Sequence, residues 1–162
     1  SSAASDVYKR QDLVLISTKG GNGFLANVAD MVTRNKAGKS FVGLDKKMQG
    51  DAPLGAAKVI EGMRQVACLS ENGRLLVFPL DELKRLPTGG KGVILMGLDA
   101  KEFLRSAIAF GAEGAGYSGL GRGGKPTDTI LDAKSLKGFA GNRARKGHLV
   151  EPRLKEARLK AN

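Results

Sequence analysis

The residues of this 162-residue chain best suited to chemistry are cations set among glycines. They fall in three places: Arg34, Lys36 and Lys39; Lys84, Arg85 and Lys91; and Lys137, Arg143, Arg145 and Lys146. Lysine and arginine neutralise phosphate charge, and glycine lets backbone N–H groups approach phosphate oxygens closely. The chemistry they suit is the holding of a nucleic-acid backbone. Aromatic residues make up only 5% of the chain, which argues against stacking on single-stranded bases. No recognition-helix motif is visible, so reading of base edges is not expected. A merely solvated surface is the competing reading, but it does not explain why the charge recurs at a fixed spacing.

Other motifs fail on inspection. Gly38-Lys39-Ser40 looks like the end of a phosphate-binding P-loop, but the glycine required five residues before Gly38 is Thr33, and a strand rather than a helix is expected to follow. Gly119 to Gly124 matches the dinucleotide fingerprint in form, yet Lys125-Pro126-Thr127-Asp128 starts no helix, so a flexible loop is expected. Cys68 lies in an apolar run and reads as a small core residue. His148 is the sole histidine and has no cysteine near it in sequence, so a metal site is unsupported. Tyr117 sits among glycines with nothing to activate it. No catalytic residue, metal ligand or cofactor is assigned to the chain.

The elements that must present the cations can be read from composition and pattern. Lys plus Arg is 27 against 16 for Asp plus Glu, a formal charge of +11, which favours a polyanionic partner. No apolar run approaches the roughly 20 residues of a membrane helix, so no membrane partner is expected. A lone cysteine forms no internal disulfide and suits a reducing, cytoplasmic compartment. The 23 glycines are spread between short apolar runs, as in an all-β domain with many turns. Asn72-Gly73 between Gln65–Ser70 and Leu75–Phe78 is a hairpin signal, because a two-residue turn needs positive φ. Nearly every residue of Leu75–Phe78 is apolar, as expected of a strand covered on both faces. Strands are also expected at Leu13–Thr18, Gly23–Val28, Ser40–Leu44, Ala57–Ile60 and Gly92–Leu95. Single helical turns are expected at Asp30–Val32, Asp81–Leu86 and Ala133–Leu136.

The parts repeat. Val14 and Val66, Met31 and Leu83, and Lys39 and Lys91 all stand 52 positions apart. A looser third copy takes Ser106–Phe110 as its first strand and Thr129–Leu131 as its second. Leu136 then matches Leu83, and Lys146 matches Lys91, with Gly111–Lys125 as a flexible insertion. A period near 52 with about four short strands predicts a propeller-like array of about three four-stranded blades. Residues 12–162 form this domain. Ser1 to Gln11, low in complexity and out of keeping with the rest, reads as a foreign or disordered segment.

Thr88-Gly89-Gly90-Lys91-Gly92 resembles the basic glycine-rich box of the DNA gyrase A C-terminal-domain family. Asn35–Ser40 and Asn142–Gly147 are degenerate versions of it. A degenerate box, together with Asp30–Lys39 and Glu71–Pro79, is similar to the topoisomerase IV branch of that family, found in the A subunit of that enzyme. The resemblance implies a β-pinwheel, whose blades exchange strands, as part of a larger disc. It implies duplex DNA bending along a basic rim formed by Arg34, Lys36, Lys39, Lys84, Arg85, Lys91, Arg143, Arg145 and Lys146. It also implies a bacterial, nucleoid-associated parent enzyme that decatenates and relaxes DNA. That enzyme works with a second A subunit plus the B subunit, and uses ATP and Mg through other regions. A gyrase-type wrapping domain and a stand-alone basic propeller that scaffolds RNA or protein are the other readings.

Overall fold

The computed structural model describes residues 12–38, 40–44 and 49–162. The expectations for Ser1–Gln11 and for Lys39 lie outside the described residues. Eleven strands are described: β1 Leu13–Thr18, β2 Asn22–Asn27, β3 Pro53–Val59, β4 Gln65–Ser70, β5 Arg74–Pro79, β6 Val93–Ile94, β7 Leu104–Phe110, β8 Ala115–Leu120, β9 Pro126–Leu131, β10 His148–Leu149 and β11 Lys155–Ala161. Two helices join them, α1 Val28–Lys36 and α2 Ala133–Lys137.

The strands form three antiparallel sheets with orders β3-β1-β2-β6, β7-β4-β5-β10 and β11-β8-β9. Each is built on a hairpin (β1-β2, β4-β5, β8-β9) whose first strand then pairs with a later one. The fourth strand of sheet one is β6, which follows the hairpin of sheet two. The fourth strand of sheet two, β10, likewise follows the hairpin of sheet three. Consecutive units therefore exchange a strand, which ties each sheet to the next.

Burial explains the stacking. Period-two alternation sends Leu15 and Leu25 of sheet one against Val66, Cys68, Leu76 and Phe78 of sheet two. The other face of sheet two, with Ala67, Leu69, Leu75 and Val77, meets Ala115, Tyr117, Leu131, Ala157 and Leu159 of sheet three. Sheet two is thus covered on both faces, as its unbroken apolar runs require. Each leucine-sized side chain gains roughly 1.5–3 kcal/mol on leaving water, so these two interfaces dominate the stability of the array. Cys68 is fully buried, and that burial pushes its thiol pKa well up, which suits a packing residue.

Several expectations are corrected. The third unit starts at β8, not at Ser106–Phe110: that segment is β7 and closes sheet two by pairing with β4. Gly111–Lys125 is no flexible insertion, since it contains β8 and a tight 3-10 turn at Arg122–Gly124. Among the described residues the third sheet shows β11, β8 and β9; the fourth strand of each earlier sheet comes from the unit that follows it. The helix of the first unit runs nine residues, not one turn. Pro87 bears on that difference: it stands where unit one has Asn35, inside α1, and a proline there removes a helix hydrogen bond, while unit two keeps only a 3-10 turn at Leu80–Glu82. Asp30 in the first turn and Arg34 and Lys36 in the last also complement the dipole of α1. Ser40–Leu44 is not a regular strand. Only Val42 makes a bridge, to Gly90.

Candidate nucleic-acid interface

The basic loops of units two and three are each held at two points on the edge of the preceding sheet. In unit two, Leu25 N–H donates to the Lys84 carbonyl (2.8 Å) and Leu86 N–H to the Leu25 carbonyl (2.9 Å). Further on, β6 pairs with Asn22 and Gly23, and Leu95 N–H donates to the Gly21 carbonyl (2.7 Å). Unit three repeats the arrangement on β5. Val77 N–H donates to the Phe139 carbonyl (2.9 Å), Gly141 N–H to the Val77 carbonyl (2.8 Å), and Val150 N–H to the Gly73 carbonyl (2.9 Å). The loop between the two anchors is a clasp, and the clasp carries the charge.

One glycine makes the second anchor possible. Gly92 and Gly147 have φ of 82° and 74°, each one position before the strand that docks. A Cβ on Gly92 would stand 2.1 Å from the Gly23 carbonyl oxygen, and one on Gly147 would stand 2.3 Å from that of Leu75. Only glycine fits both the left-handed backbone and the close approach. Spacing reveals this pair, since each glycine follows its lysine directly (Lys91-Gly92, Lys146-Gly147), but the sequence alone does not say what they touch.

The clasps also bond to one another. Gly90 N–H donates to the Phe41 carbonyl (2.9 Å), and Gly43 N–H to the Gly90 carbonyl (2.7 Å). Ala144 N–H donates to the Leu95 carbonyl (3.0 Å), and Gly97 N–H to the Arg145 carbonyl (2.8 Å). Segments 40–43, 84–97 and 139–150 therefore bond into one continuous row, the last two of them along the same edges of sheets one and two.

The cations in this row differ in what they do. Lys36, Lys84, Arg85, Lys91, Arg145 and Lys146 are exposed, whereas Arg34 and Arg143 are half-buried. Arg143 donates through Nη1 to the Ile94 carbonyl (2.6 Å) and through its backbone N–H to Glu82 Oε1 (3.3 Å), which binds one clasp to the next. Arg85 donates to Asn27 Oδ1, and Arg34 Nη2 lies 3.4 Å from the Ser40 carbonyl. Lys146 Nζ sits 2.5 Å from Asp99 Oδ1. The hydrogen bond and the charge of Lys146 hold the Asp99 carboxyl below its ordinary pKa. The acceptors Asn27, Glu82 and Asp99 carry no sequence signal of this role, because each comes from a part of the chain distant from its cation. Tyr117 is buried between sheets two and three, and its hydroxyl donates to the Pro152 carbonyl (2.6 Å). Desolvation raises its pKa, so it is a packing residue with a satisfied hydroxyl. His148 is exposed in β10.

A family model described as the DNA gyrase C-terminal domain, a β-propeller, matches residues 64–110. The A subunit of DNA topoisomerase 4 from Caulobacter vibrioides is 33% identical over 137 residues, which is 84% of this chain and 16% of that protein. Its counterpart from Neisseria gonorrhoeae is 37% identical over 90 residues, 54% of this chain and 12% of the relative. The chain thus spans less than a fifth of the length of these relatives. Among solved structures, the Escherichia coli ParC C-terminal domain superposes with a TM-score of 0.74 at 21% identity, over 94% of this chain and 61% of that one. A DNA gyrase A C-terminal domain gives 0.66 at 18% identity, over 86% and 43%. With matched sequence along most of its length and a shared fold, the chain belongs to the family of C-terminal domains shared by gyrase A and the topoisomerase IV A-subunit, and its three sheets are blades of a β-pinwheel.

Proposed function

We propose that this domain binds duplex DNA without sequence preference along the row of clasps and bends it there, as the accessory domain of a topoisomerase IV A-subunit. The observation that supports this most is the repetition of the clasp. Equivalent cationic loops lie on equivalent blade edges and bond directly to one another, so a polyanion laid along the row meets charge at regular intervals. Phosphate contacts of this kind position a duplex but carry no base identity. In this reading Lys36, Lys39, Lys84, Lys91 and Arg145 reach phosphates, whereas Arg34, Arg85 and Arg143 chiefly hold the loops in place. Lys146 divides its charge between Asp99 and DNA. The domain needs no cofactor of its own. ATP, Mg, the second A subunit plus the B subunit engage other regions of a cytoplasmic, nucleoid-associated enzyme that decatenates and relaxes DNA.

The test is binding to several unrelated duplexes over a salt series, with end-to-end energy transfer reporting the bend. Replacing Lys84, Lys91 and Arg145 by Ala is expected to flatten the log–log salt slope by about 2.7, since each neutralised phosphate contributes about 0.9. The loss should be the same for every duplex, apart from a preference for flexible pyrimidine–purine steps. An unchanged slope in a folded variant would remove the clasps from the DNA path.

A further inference from the structure

Five large apolar side chains stand well out in solvent among the described residues, and two of them, Ile94 and Leu149, lie in the row of clasps. Single exposed aliphatics are ordinary, but these two are equivalent. Each comes three positions after the lysine of its clasp, in Lys91-Gly92-Val93-Ile94 and in Lys146-Gly147-His148-Leu149. Each is the second residue of a two-residue strand, β6 or β10, and that strand is the edge of its sheet.

Register fixes where they point. Ile94 pairs with Asn22 and Leu149 with Arg74, and paired residues share a sheet face. On β2 and β5 those faces continue, two residues on, in Phe24 and Leu76, both buried. Ile94 and Leu149 carry the same faces out to the edge strands, where they are 53% and 59% exposed. Cations bracket both. Arg143 Nη1 donates to the Ile94 carbonyl at 2.6 Å, and Lys91 precedes Ile94 in the clasp. Leu149 stands across the strand pair from Arg74 and follows Lys146, whose ammonium already engages the acid nearby, Asp99.

An aliphatic side chain between cations is of no use to a phosphate. The minor groove of a duplex, by contrast, offers both surfaces: phosphates along its walls, sugars and base edges between them. Minor-groove proteins push Leu, Ile and similar side chains between base steps there, and the duplex kinks. The groove is only about 6 Å wide, which suits a lone side chain on a strand edge.

We propose that Ile94 and Leu149 enter the minor groove of the bound duplex at successive points along the row, each opening a base step and so setting where the bend falls. This rests on the reading of the clasps as a duplex-binding row. Flexible pyrimidine–purine steps are the ones that take the side chains, because they unstack most easily. The flanking cations favour this polyanion over an apolar protein surface, against which they would be buried unpaired.

The experiment uses the whole chain and a duplex with 2-aminopurine at a central TA step, whose fluorescence rises on unstacking, together with end-to-end energy transfer and a salt series. The unaltered chain should brighten the probe and bend the duplex. The double variant Ile94→Ser, Leu149→Ser should lose the brightening and most of the bend. Its affinity should fall by about tenfold, since the burial lost is partly offset by the unstacking no longer needed. Its log–log salt slope should stay unchanged, because no phosphate contact is removed. Ile130→Ser, on the outer face of blade three, should behave as the unaltered chain does. A folded double variant that bends and brightens the duplex like the unaltered chain would overturn the inference and leave the duplex-binding row standing. A flattened salt slope in that variant would also overturn it, since the two side chains would then serve to position the lysines. If the double variant lost self-association in sedimentation but kept the bend, the pair would be a protein contact and the groove assignment would fall. Absence of duplex binding by the unaltered chain would sink the inference and the reading beneath it together.

Discussion

The two end faces of the blade array are built from the same strand plan and have opposite chemistry. On blade one, Val14, Ile16, Phe24 and Ala26 point away from blade two, and Phe41, Val28, Met31, Val42 and Leu86 cover them. On blade three the outward rows are Gly116 and Ser118 of β8, Asp128 and Ile130 of β9, and Arg158 and Lys160 of β11. Strand β9 alternates strictly between exposed and less exposed positions, and Lys160 Nζ lies 3.5 Å from Asp128 Oδ1 in solvent. An apolar sheet face must be buried against another layer, whereas a polar one is satisfied by water. The outer face of blade three is of the polar kind, and its edge strand β9 begins with a proline and carries Asp128. The apolar face of blade one, by contrast, depends on α1 and the Phe41 segment for cover.

The sharpest way to break this comparison is to delete one side chain from each face. Phe24→Ala empties a site only 1% exposed and should cost about 3–5 kcal/mol in urea unfolding. Asp128→Ala on the opposite face should stay within about ±0.5 kcal/mol. Equal effects would mean that the two faces do not differ in kind.

The clasps give the next largest contrast, because among the described residues blades one and two each carry one. Gly92→Ala forces a Cβ against the Gly23 carbonyl and should cost well over 1 kcal/mol, with faster amide exchange at Val93 and Leu95. Gly123, in the hairpin turn of blade three, also has positive φ (72°), but nothing lies within 4 Å of its Cβ position. Gly123→Asn should therefore be tolerated, since Asn enters the left-handed region readily. A mild Gly92→Ala would show that the clasp does not depend on the close approach.

These contrasts also mark what the sequence could disclose. Strands β1, β4 and β5 are legible because both of their faces are apolar and Asn72-Gly73 fixes the turn of one hairpin. Strand β8 is not, since Gly116, Ser118 and Gly119 give it neither β-branching nor an apolar face. It is a strand because β9 and β11 pair with it on either side. The charged run Lys155–Ala161 conceals a period-two pattern in which only Ala157 and Leu159 are buried. For the candidate interface, the lysines and arginines and their register were visible. Their division into loop-holding and outward-facing groups was not, because Asn27, Glu82, Ile94 and Asp99 meet them only after folding.

A smaller effect probes the inner side of blade three. Tyr117→Phe keeps the packing between blades two and three but removes the hydrogen bond to the Pro152 carbonyl, a loss of about 0.5–1.5 kcal/mol. The raised Tyr117 pKa adds a sign: its stabilisation is full below the ordinary tyrosine value near 10 and falls as pH rises through the folded value. Unfolding at pH 8 and pH 11 should show an alkaline loss that Tyr117→Phe lacks, and an identical alkaline loss in the variant would assign that titration to another group.

The smallest expected effect sets an ion pair of the clasp row against one on the polar outer face of blade three. The Asp99 carboxyl is held low by Lys146, so this pair stabilises the fold above the ordinary carboxylate pKa near 3.9 and loses that contribution as pH falls through the folded value. Both groups are largely in solvent, so the effect on stability is slight and is best read by following the carboxyl itself. Carbon-13 NMR of Asp99 should show its titration moving up toward the ordinary value in Lys146→Met. It should hardly move in Lys160→Met, which removes the blade-three pair instead. Duplex DNA supplies the discriminating condition. If Lys146 turns from Asp99 to a phosphate, Asp99 loses its partner, and its titration must rise on binding in the unaltered chain but not in Lys146→Met. A duplex that binds and leaves Asp99 unmoved would mean that Lys146 stays with the carboxylate and serves to hold the clasp, not the DNA.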